Sequence, residues 1–172
     1  MPQSTICGLI AFLALPGIAA ADGLRVTGTP TAMPAENDFA RDLPPILLQA
    51  ASLTLDAPAR LTFTPVAAES GNHNTLTISG LGSLSEDRDF GFRNRSRTQL
   101  VGDFAPGALD QFLFFTSDFG DRAGPGSGSF GAFVDGAPGE EFTTFFLVYD
   151  DLGQDDGDFD DYIVRVDVEL LE

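Results

Sequence analysis

Nowhere beyond residue 42 does an apolar stripe persist at helical spacing for three turns. Short apolar or alternating runs recur instead, divided by Gly, Pro, Asn and Asp. They are Ile46–Leu55, Arg60–Val66, Thr75–Ser79, Asp89–Arg93, Thr98–Val101, Leu109–Thr116, Ser129–Val134, Phe142–Tyr149 and Tyr162–Leu170. Runs of that length, with 19 Gly and 11 Pro to break them, predict an all-β fold. The expected architecture is a jelly-roll-like antiparallel β-sandwich of about eight to ten strands. Tyr162–Leu170 alternates most cleanly, with Tyr162, Val164, Val166, Val168 and Leu170 on one face and Arg165, Asp167 and Glu169 on the other. Phe142–Tyr149 is apolar nearly throughout and is expected deeper in a sheet. With 16 Phe and no Trp, the core is phenylalanine-built. Phe112, Phe114, Phe115, Phe130, Phe133, Phe142, Phe145 and Phe146 are its expected members.

Three segments follow from composition. Residues 1–21 pair the apolar run Ile6–Ala20 with an A-x-A-like end at Ala19-Ala20-Ala21, the pattern of a cleaved secretory signal. Residues 22–42 mix Thr, Pro, Ala and acids without a period and are expected to be a flexible lead-in. Residues 43–172 form the sandwich domain. The single cysteine, Cys7, lies in the leader, so disulfides cannot support the domain. The expected location is outside the cytoplasm, extracellular or periplasmic, with no membrane attachment after cleavage.

The chain carries 26 Asp+Glu against 9 Lys+Arg, a formal net charge of −17, and all of the cations are Arg. Such a surface repels phosphate backbones and anionic lipid, so nucleic acid is not an expected partner. The acid is concentrated in Asp150–Asp161, where Asp150, Asp151, Asp155, Asp156, Asp158, Asp160 and Asp161 lie between two expected strands. Carboxylates so crowded repel one another unless a cation sits among them. Ca²⁺ takes six to eight oxygens in irregular geometry, which suits short carboxylates and backbone carbonyls. The expected ligands are Asp151, Asp156, Asp158, Asp160 and Asp161. Asp150 and Asp155 are weaker candidates, as are Glu69 and Asn74 if the fold brings their turn across. The spacing is not that of an EF-hand: with Gly157 as sixth position, Gln154 and Leu152 fall where ligands are required. An acidic hairpin tip that is merely solvated remains the alternative.

The segment Tyr149-Asp150-Asp151-Leu152, followed by Asp156-Gly157-Asp158-Phe159-Asp160-Asp161, resembles the closing motif of an uncharacterised bacterial exported domain. That family, which includes domain of unknown function 4114 and proteins with PEP-CTERM-type sorting tails, usually has two glycines where this chain has Gln154 and Asp155. Glu69-Ser70-Gly71-Asn72-His73-Asn74-Thr75-Leu76 is similar to an early turn of the same family. The resemblance implies a secreted β-sandwich whose Asp loop binds Ca²⁺, with no enzymatic activity.

Other chemistries find little material. His73 is the only histidine, and no G-x-S-x-G elbow accompanies it. Zinc lacks His and Cys ligands, and a phosphate-cradling loop lacks its Lys. A two-carboxylate glycan hydrolase is the remote enzymatic alternative. Arg88, Arg93, Arg95 and Arg97 form a cationic stripe that could grip an anionic ligand or pair with the protein's own acid. The function expected is therefore a non-catalytic module binding an extracellular glycan or a surface protein. A structural or interaction domain with a solvated acidic loop is the other reading.

Overall fold

The computed structural model describes residues 23–69, 72–86, 89–92, 98–118, 120–151 and 157–172. The expected leader, Arg88, Arg93, Arg95, Arg97, Asp155 and Asp156 lie outside the described residues. Within them there is no helix. The strands are β1 (Leu24–Ala32), β2 (Ile46–Leu55), β3 (Ala59–Ala67), β4 (Asn74–Ile78), β5 (Gly82–Ser85), β6 (Leu100–Phe104), β7 (Gly107–Ala108), β8 (Phe112–Thr116), β9 (Arg122–Ala123), β10 (Phe130–Val134), β11 (Glu141–Phe142), β12 (Thr144–Tyr149) and β13 (Tyr162–Leu170).

The large sheet runs β11-β1-β2-β10-β12-β13-β3-β6, with β7 also on β2, and the small sheet runs β5-β4-β8-β9. Their pairings are antiparallel, and the two sheets pack as an all-β sandwich. β8 shows how the sequence dictates this packing. Its period-2 pattern turns Phe112 and Phe114 inward and leaves Leu113 and Phe115 half-buried. Phe112 meets Phe63 of β3 edge-on at 5.5 Å, and Phe114 meets Phe130 of β10 at 5.8 Å.

β10 is buried at every position, because the outer face of the large sheet is also covered. A second apolar layer joins Leu43, Leu47, Val66, Phe133, Val148, Phe159 and Ile163, with Met33, Phe39, Phe92 and Phe146 packed against them. That layer explains why Ile163, on the face of β13 expected to be wet, is buried. It also accounts for Phe159, a core residue not expected from the sequence; Phe63 is another. Phe115 and Phe146, expected in the core, are half-buried.

From Gly23 onward, the segment expected as a flexible lead-in (22–42) is part of the fold. β1 lies inside the large sheet between β11 and β2, so the sandwich begins well before Leu43. Only Leu24 and Val26 signal a strand there. Gly28 and Pro30 then interrupt the alternation at a bulge between Thr27 and Thr29. The glycine is required: a Cβ at Gly28 would lie 2.7 Å from the Gln49 carbonyl oxygen.

Candidate metal centre

The acidic run joins β12 to β13, and its ends are pinned by apolar side chains. Tyr149 and Tyr162 face each other in register, and both rings are fully buried. Phe114 stacks on Tyr149 at 5.2 Å and meets Tyr162 edge-on at 5.9 Å. A third anchor sits within the run itself. Phe159 buries its ring in the outer layer while its backbone adopts a left-handed φ of 61°, a conformation that costs a non-glycine residue about 1–2 kcal/mol. With Phe159 and Tyr162 fixed, Asp158, Asp160 and Asp161 cannot swing into solvent.

The result is five buried carboxylates: Asp150 is 5% exposed, Asp151 0%, Asp158 5%, Asp160 1% and Asp161 8%. Two groups form among them. Asp150, Asp158 and Asp161 each place a carboxylate oxygen within 4.8 Å of the others, and so do Glu69, Asp158 and Asp160. These groups, in which every member but Glu69 is buried, could hold a metal ion. All the donors are hard oxygens.

Neighbouring segments hold the cluster from three sides. The Asp38 backbone N–H donates to Asp160 Oδ2 at 2.7 Å, and Asn37 Nδ2 donates to the Asp158 carbonyl at 2.9 Å. The Glu69 N–H donates to the Asp160 carbonyl at 3.1 Å, which carries the end of β3 across to the loop. From the small sheet, Asn74 Nδ2 donates to Asp151 Oδ2 at 3.1 Å, and Asn72 Nδ2 reaches Asp151 Oδ1 at 3.0 Å. Within the loop, the Asp151 N–H donates to Asp161 Oδ2 at 2.6 Å.

Burial dominates the electrostatics. It pushes Asp161 up to about 9, helped by the charges of Asp151, Asp158 and Asp150 and opposed by the Asp151 N–H. Asp160 rises to about 8 for the same first reason, with Asp158 and Glu69 adding to the rise and the Asp38 N–H opposing it. The ion pairs among the described residues involve Arg25, Arg60, His73 and Arg165, and none reaches Asp160 or Asp161. Glu86 is a further buried acid behind the loop. Burial lifts it to about 8, although its Oε1 accepts the Asn74 N–H.

Of the residues singled out in the sequence, Asp158 and Asp161 meet the weaker candidate Asp150, and Asp158 and Asp160 meet the weaker candidate Glu69. Asp151 and Asn74 sit beside them in a different role: the carboxylate of Asp151 is held by Asn72 and Asn74 and belongs to neither group of three. Asp155 and Asp156 fall outside the described residues. Asn37, Asp38, Asn72 and Glu86 were not anticipated. Asn37 and Asp38 do carry a turn-like signal, but in a stretch assigned to a lead-in. His73 lies on the surface, its ring Nδ1 3.4 Å from Asp118.

Comparison with protein-family models, curated proteins and solved structures gives no match for this chain. The functional reading therefore rests on the site itself.

Proposed function

We propose that this chain is a secreted, non-catalytic β-sandwich module whose β12–β13 loop holds Ca²⁺ as a structural ion. The observation that carries the reading is the convergence of buried Asp carboxylates on Asp158, without nitrogen or sulfur donors. An all-oxygen, irregular shell suits Ca²⁺ better than Zn²⁺, and better than Mg²⁺ with its strict octahedron. The likeness of Asp156–Asp161 to an exported-domain motif points the same way, as does the signal-like leader. The ion's role is neutralisation: it lets two apolar strands meet at a loop that charge repulsion would otherwise splay. At one hundred times its Kd, Ca²⁺ would add about 2.7 kcal/mol, or roughly 5–10 °C in Tm for a domain of this size. Melting curves of the purified protein that overlay in millimolar Ca²⁺ and in excess chelator would end the proposal.

The module's partner is assigned to the outer face of the large sheet. A cavity of about 490 Å³ there is lined by Phe92, Phe146, Gln99, Arg165, Asp42 and Asp167, among others. Phe92 and Phe146 lie 5.9 Å apart and tilted. Rings beside guanidinium, amide and carboxylate groups suit the apolar face and hydroxyls of a sugar. Retention on insoluble glycans, lost on Phe146→Ala while the fold persists, is the expected result. No retention on any glycan tested would favour a protein partner instead.

A further inference from the structure

We infer that the loop is built for two divalent cations sharing Asp158, the outer one completed by Glu69 from the end of β3. This inference rests on the reading that the loop holds Ca²⁺, and it adds a second site with its own ligands.

Ca–O distances of about 2.3–2.6 Å put the oxygens around one ion within roughly 5 Å of each other. Asp150, Asp158 and Asp161 meet that condition, and so, separately, do Glu69, Asp158 and Asp160. The five residues do not merge into one group at that spacing, whereas Asp158 belongs to both. A carboxylate has two oxygens and can bridge two ions, which is the part Asp158 is placed to take.

The outer group carries an independent sign of a ligand. Asp160 is 1% exposed, and its Oδ2 is occupied by the Asp38 N–H at 2.7 Å. Its Oδ1 is fully buried with no hydrogen-bond partner among the described residues. Leaving a buried carboxylate oxygen without a donor costs about 1–3 kcal/mol or more, so a protein that holds the other oxygen so firmly is presenting this one to something. What it faces is acidic: Glu69 and Asp158 both press on its charge. A proton on Asp160 can be shared with Asp158, whereas a divalent cation can engage all three carboxylates at once. The two sites also differ in access. Glu69 is exposed, whereas Asp150, Asp158 and Asp161 are buried, so the outer ion exchanges more readily and binds more weakly.

The test is a calorimetric titration of chelator-stripped protein with CaCl₂, repeated on Glu69→Gln. That exposed substitution removes one outer ligand charge without opening the core. Wild type is expected to bind two ions in two phases. Glu69→Gln is expected to weaken one phase at least tenfold and leave the other unchanged. A wild-type stoichiometry of one would overturn the second site and leave the calcium reading standing. No binding at all would overturn both. Two ions bound unchanged by Glu69→Gln would show that the outer ligands are misassigned.

Discussion

Phe159 is the residue on which the loop's geometry turns, and the space made for it by Gly131 allows the idea to be tested quantitatively. The ring is fully buried in the layer formed by Leu47, Val66, Phe133, Val148 and Ile163. Truncation to alanine in such a setting costs about 3–5 kcal/mol. Glycine at the same position loses the ring but also the left-handed strain, so Phe159→Gly should be about 1 kcal/mol less destabilising than Phe159→Ala. Across the sheet, a Cβ at Gly131 would meet Phe159 Cδ1 at 3.1 Å, and Leu47 Cδ1 and Val148 Cγ2 at 3.0 Å. Gly131→Ala alone therefore overpacks the layer and should cost about 1–3 kcal/mol. With the ring absent, the added methyl has room to settle, and the second substitution should cost at least about 1 kcal/mol less than it does alone. Urea unfolding of the single and double variants measures that coupling. Because Asp158 and Asp160 flank Phe159, calcium affinity should fall more than tenfold in Phe159→Ala. Strictly additive costs, together with unaltered calcium affinity, would refute the view that this ring positions the carboxylates.

Three further outcomes follow from the buried acids. Asp160 and Asp161 have folded pKa values raised to about 8 and about 9. Their contribution in the metal-free protein is therefore fully present below the ordinary carboxylate pKa of about 4 and is lost as pH rises through about 8–9. Calcium should reverse that slope, since the ion requires the ionised forms. Urea midpoints between about pH 5 and 9, with Ca²⁺ and with chelator, check the sign, and parallel slopes would contradict it. Glu86 is likewise raised, to about 8, so Glu86→Gln should be near neutral at about pH 4, become increasingly stabilising as pH rises, and level off above about pH 8; a stabilisation independent of pH would contradict it. Asn74→Ala removes a donor to Asp151 and the acceptor for Thr116 Oγ1 at 2.6 Å, and should cost about 2–4 kcal/mol in chemical denaturation.

What the sequence disclosed follows from the range of each signal. β2 and β13 match their expected runs residue for residue, because each is long and follows directly on turn residues. That Asp158 lies close to Asp160 and, in a second group, to Asp161 was legible because it is local: one short segment carries the charge. β1 was hidden because its two buried apolar residues precede Gly28 and Pro30, a pattern shared with real linkers. Glu69 was named only on the condition that the fold brings its turn across, and that condition could not be checked locally. It depends on β3 pairing with β13, with Ala67 opposite Ile163, and neighbour order within a sheet leaves no trace in local periodicity. Asn37 and Asp38 were missed for both reasons.

These late-arriving contacts determine what a cation at the loop would accomplish. Asp151 is tied to the small sheet through Asn72 and Asn74. Asp160 is tied to the Asn37–Asp38 turn above the outer layer and to the end of β3. Phe159 is tied to that outer layer directly. The loop thus touches every layer of the molecule, and its carboxylates repel one another at the point where those layers meet. Neutralising them removes a force that acts on all three contacts together. Ion binding is therefore expected to sharpen global unfolding as well as to order a hairpin. Hydrogen exchange can separate the two: protection gained on Ca²⁺ binding should extend to β4 and β8 of the small sheet, and protection confined to residues flanking the loop would mean that the ion acts only locally.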